Sequence, residues 1–126
     1  MVKGMHVSNQ STTNIAGSAY QLQRAAGRMQ QRASGPETVP ALPTTLSHLE
    51  EALDRLATGT VKLAQAVEDW TAESEPMPPE ARALRWHLFH LASRLRGAQE
   101  ACPSTRRWAR EMVSEPRPEE AAAADA

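Results

Sequence analysis

The chain holds a single cysteine, one phenylalanine and one tyrosine in 126 residues, and each scarcity excludes something. A lone thiol, Cys102, cannot close an internal disulfide, so no bridge supports the fold and a reducing cytoplasm is the expected location. Five aromatic residues in all (Tyr20, Trp70, Trp86, Phe89 and Trp108) are too few to line the facing sheets of a β-sandwich or barrel. No apolar run approaches the eighteen or so residues that a membrane helix needs, and the amino-terminal MVKGMHVSNQSTTN lacks the apolar core of a signal peptide. Neither membrane spanning nor signal-led secretion is expected. Neither sign of charge is in surplus: 14 basic against 15 acidic side chains leave a formal charge of −1, so no global field draws the molecule to nucleic acid or to an anionic membrane.

What is present is alanine and arginine. Alanine fills 22 positions and arginine outnumbers lysine twelve to two, the skew of a GC-rich genome and of a small bacterial or phage-like protein. An all-α fold is expected, in four helical stretches. Residues 1–14 are polar and read as a disordered arm. A weakly amphipathic helix is expected over 15–33, with Ile15, Ala19, Leu22, Ala26, Met29 and Ala33 on one face and Arg24, Arg28 and Arg32 on another. Pro36, Pro40 and Pro43 mark 34–43 as an extended linker.

The strongest periodicity follows. Leu46, Leu49, Leu53, Leu56, Thr60, Leu63, Val67 and Trp70 alternate spacings of three and four, a heptad seam for a helix over 44–72. Thr44, Thr45 or Ser47 is expected to cap it, with Glu50 and Glu51 in the first turn. Small residues flank the seam on both sides, Ala52, Gly59 and Ala66 on one and Ala57 and Ala64 on the other, so a neighbouring backbone can come close. Pro76, Pro78 and Pro79 end the helix and start another, over 79–102, whose seam is Ala81, Leu84, Leu88, Leu91, Leu95, Ala98 and Cys102. Folding back at the prolines gives an antiparallel helical hairpin, 44–102, that pairs Trp70 with Ala81, Leu63 with Leu88 and Leu49 with Cys102. Charge favours it, because the first helix carries −3 and the second +3. Pro103 should break the chain before a short basic helix over 103–113, capped by Ser104, and 114–126 reads as a disordered acidic and alanine-rich tail.

A bare two-helix hairpin buries too little to offset its ordering entropy, so more apolar surface must be covered, by a further helix or by another chain. The expected function is that of a protein–protein interaction or regulatory module without catalysis, binding a protein partner or a second copy as a homodimer. Trp86, Phe89, Trp108 and Met112 are the candidate anchors, with Arg82, Arg85 and Arg96 as their polar rim. The alternative is a nucleic-acid-binding accessory protein. Residues 81–113 hold seven arginines and two acids, and Arg106, Arg107 and Arg110 beside Trp108 could hold phosphates and stack bases. No metal, cofactor or catalytic group is expected. His87 and His90 lack a third ligand at helical spacing, and His48 near Cys102 lacks an orienting group or oxyanion loop. In length and helical-hairpin outline the chain resembles the small WXG-type secreted proteins. Their Trp-x-Gly turn is missing, since Thr71 and Ala72 follow Trp70, so their function is not carried over.

Overall fold

The computed structural model describes residues 14–114, and among these it is all-helical, with no strand. Among the described residues there are three helices: α1 (Ile15–Arg32), α2 (Thr38–Trp70) and α3 (Pro79–Ser114). The expected arm and tail fall almost wholly outside the described residues. Among the described residues no helix is long and apolar enough to cross a membrane. The chain divides into two units at Thr38, the first holding α1 and the second holding α2 and α3.

In the first unit, α1 starts where Asn14 accepts a hydrogen bond from the Gly17 N–H through Oδ1 at 2.8 Å. An asparagine in this role satisfies one of the four N–H groups a helix start leaves without an acceptor. Asn14, assigned to the arm from sequence, is therefore the cap. The helix closes at Arg32, one residue short of expectation, and a tight turn follows in which Gly35 N–H donates to the Arg32 carbonyl and Thr38 N–H to that of Gly35.

The second unit corrects the sequence reading at two prolines. The linker expected over 34–43 is helical from Thr38, because the first prolines fall where their missing N–H costs little. Pro40 is the third helical residue, within the four whose N–H has no intrahelical acceptor, and Pro43 gives up only the bond to the Val39 carbonyl. Thr45 and Ser47 are consequently not caps. Their hydroxyls donate back to the carbonyls of Ala41 and Pro43, four residues earlier. Glu50 and Glu51 likewise stand well inside α2 and not in its first turn.

Similarly, α3 does not stop at Pro103, so the separate helix over 103–113 merges with the one before it and three helices stand where four were expected. A proline inside a helix costs about 3 kcal/mol. The segment beyond it is fastened independently: Arg106 Nη1 donates to Glu50 of α2 at 2.9 Å, and Ala109 is buried. Ser104 lies inside the helix and caps nothing, while Thr105 Oγ1 donates to the Ala101 carbonyl at 2.9 Å. Between α2 and α3, residues 71–78 form a turn in which Thr71 donates through N–H and Oγ1 to the Val67 carbonyl. Pro79 then opens α3 at the position where its fixed φ is already helical.

Candidate interaction face

Ion pairs cross from α2 to α3 at three heights: Glu50 with Arg106, Asp54 with Arg96, and Glu68 with Arg85. Rising residue numbers on α2 meet falling ones on α3. Arg96 also donates to Thr58 Oγ1 at 2.8 Å and to Gln99 Oε1 at 2.9 Å, so its guanidinium is shared among three acceptors. Arg85 Nε lies 2.6 Å from Glu68 Oε1 with its N–H aimed off that line, which makes the contact an ion pair and not a hydrogen bond. Arg106 and Glu50 are the most enclosed pair, with side chains 19% and 22% exposed, where the others are about twice as open or more.

The buried residues of α2 and α3 are small: Ala57, Thr60 and Ala64 on α2, and Ala81, Ala92, Cys102 and Ala109 on α3. Ala57 and Ala64 have no exposed surface at all. Thr60 and Cys102, the two buried residues with a polar side-chain atom, each donate within their own helix, whereas Nε of Arg85 and of Arg106 is enclosed without a hydrogen-bond acceptor. Thr60 Oγ1 donates to the Leu56 carbonyl at 2.7 Å, and Cys102 Sγ to that of Ala98 at 3.5 Å. Enclosure should keep the Cys102 thiol slow to react: an aromatic disulfide reagent should label it at the rate of unfolding and at full speed in denaturant. Immediate labelling of the native chain would contradict its burial.

This burial keeps every other member of each expected seam, Leu53, Thr60 and Val67 on α2 and Ala81, Leu88, Leu95 and Cys102 on α3, and replaces the alternate members by their neighbours one position on. On α3 the inward line runs Ala81, Arg85, Leu88, Ala92, Leu95, Gln99, Cys102, Arg106 and Ala109, all buried or half-buried, and leaves Leu84 and Leu91 outside at 51% and 49% exposed. On α2 it runs through Leu53, Ala57, Thr60, Ala64 and Val67, and leaves Leu63 partly and Trp70 almost wholly exposed, the latter at 90%. The reason is steric. Alanine and threonine let two backbones approach where a leucine pair would hold them apart.

Residues seven apart share a helix face, which sorts the surface into two sides. Asp54 and Glu68 of α2 pair with Arg96 and Arg85 of α3, making one side polar and tied by charge. On the other, Leu49, Leu56, Leu63 and Trp70 of α2 stand at heptad intervals, as do Leu84, Leu91 and Met112 of α3. An open, mainly apolar groove lies there, lined by Leu63, Val67, Trp70, Ala81, Leu84 and Leu88, with Thr71 and Glu80 also on its wall.

The residues singled out from sequence are distributed differently. Trp86 is exposed and stacks on His90, ring centroids 5.1 Å apart, with His87 against its edge at 5.0 Å. Phe89 lies under the guanidinium of Arg85 at 5.7 Å, on the ion-paired side. Arg82 shares that flank by heptad spacing, but Arg85 and Arg96 are bound within the chain. Trp108 and Met112 are exposed, with Arg107 over the Trp108 ring at 5.6 Å. Of the three arginines proposed for phosphates, Arg106 is occupied by Glu50, Arg107 leans toward Glu111 at 3.8 Å and Arg110 is exposed. His48 is exposed whereas Cys102 is buried, and no group of three or more ligating side chains occurs among the described residues.

Sequence periodicity places Leu63 and Leu84 inside the pair, whereas the structure opens both onto the groove. The signal that could have found it was the second set of small residues, Ala57 and Ala64 with Ala92, lying beside the leucine seam. Comparison of the chain with protein-family models, with curated proteins and with solved structures finds no match.

Proposed function

We propose that the chain is a non-catalytic protein-interaction module. In this reading α2 and α3 form an antiparallel hairpin closed on its alanine face, and its leucine side receives another polypeptide. The observation that carries the reading is the pairing of opposites on one helix pair: fully enclosed Ala57 and Ala64, and a wide-open Trp70 bordering a groove of Leu63, Leu84 and Leu88. A contiguous apolar strip of this kind costs solubility unless something covers it, and strips rimmed by polar residues mark contact sites. Three ion pairs hold the two helices in register without using any group on the leucine side, so that side is free for a partner.

A photoreactive residue placed at Leu84 tests this in cells, with the same residue at Trp86 and at Ala83 for comparison. Covalent adducts should form from position 84. Adducts from position 86 and none from 84 would return the interface to the Trp86 and Phe89 surface expected from sequence. No adduct from any position would end the reading.

A further inference from the structure

We infer that the occupant of the leucine side is a second copy of this chain, docked through the same face in a four-helix arrangement; the inference rests on the interaction reading above. The two stripes carry no charged residue: Leu49, Leu56, Leu63 and Trp70 on α2, and Leu84, Leu91, Ala98, Thr105 and Met112 on α3, where the hydroxyl of Thr105 donates to its own helix at the Ala101 carbonyl. A partner must therefore be apolar over the same length, a condition this chain's own face meets.

The area agrees. With the half-buried leucines between them, the stripes leave on the order of 700 Å² of side chain open, against ~800 Å² contributed by each partner in a stable interface of ordinary size. A two-fold operation brings such a patch onto itself and closes the assembly at two chains, leaving no open end to propagate. Net charge does not oppose it, since each copy carries only −1. The surface next to the α2 stripe is also low. Ala52, Gly59 and Ala66 stand beside Leu56 and Leu63 at heptad spacing, and a Cβ placed on Gly59 would meet nothing within 4 Å. Leucines from a facing helix have room to seat there, as knobs do in the holes of a four-helix bundle.

The purified full chain, followed by sedimentation equilibrium across micromolar concentrations, should approach twice the 13.8 kDa chain mass. Leu63→Glu with Leu84→Glu should return it to one chain mass while far-ultraviolet circular dichroism keeps its helical signal. Leu84→Gln, a milder change at a half-exposed position, should weaken the dimer at least tenfold and guards against a double variant that fails to fold. Arg82→Glu on the opposite flank should leave the mass unchanged. A wild-type chain that stays at 13.8 kDa throughout overturns the second copy. Position-84 adducts of some other mass would then keep the interaction reading, and their absence would remove it as well. A dimer that survives both glutamates overturns the assignment to this face.

Discussion

Replacing Ala57 and Ala64 by leucine should destabilise the chain by about 1–3 kcal/mol at each site, lowering the thermal midpoint by several degrees or more. Both alanines are fully enclosed on the face that α2 turns toward α3. Three added carbons at either position have no free volume to enter, so the helices must separate. Separation would stretch the ion pairs Glu50–Arg106 and Glu68–Arg85 that flank these positions. Ala83→Leu on the exposed flank of α3 should change stability by less than about 0.5 kcal/mol, since nothing there must move. Calorimetry of the three variants checks the contrast. Equal tolerance at all three positions would mean that the alanine contact is loose.

Charge reversal at Glu50 should be the second large effect. Glu50→Lys sets a cation against the half-buried guanidinium of Arg106, at the least exposed ion pair among the described residues. Exposed pairs are worth under about 1 kcal/mol, while breaking an enclosed one costs about 3–5 kcal/mol. This pair lies between those limits, so a loss of about 2–3 kcal/mol is expected. Adding Arg106→Glu restores opposite charges and should recover more than half of that loss. The same reversal at Arg55, whose i,i+4 partner Glu51 is open to water, should cost little. Denaturant unfolding of the two single variants and the double gives the coupling directly. Failure of the swap to rescue would show that Arg106 contributes through packing of its stem and not through charge.

Because Pro103 sits in the helix segment that Arg106 anchors, the same pair explains why one sequence expectation failed. A proline following Cys102 carries a local penalty that reads as a helix end, and the segment beyond it is held by the Arg106–Glu50 contact, 56 residues apart in the chain, and by the burial of Ala109. Pro40 and Pro43 misled for a different reason. Their cost depends on where the helix begins, and with Thr38 as its first residue little of it remains. The candidate site was only partly legible for a third reason. Leu63, Leu84 and Leu88 were recognised as apolar seam residues, but periodicity cannot say whether a stripe faces its own neighbour or the outside. Trp86 and Phe89 stood out as aromatics off the seam, yet His90 and Arg85 already lie against their rings.

The amino-acid sequence by itself determined that the chain is helical, that a proline-rich turn separates two long periodic segments, and that those segments carry opposite charge. These follow from local propensity and from spacings of three and four, which every residue reports through its near neighbours. Only the tertiary structure decided which of two adjacent heptad stripes turns inward. The leucine and alanine stripes fit the same period equally well. The choice falls to the closest approach that two backbones can make, and that distance is set jointly by side chains on both helices.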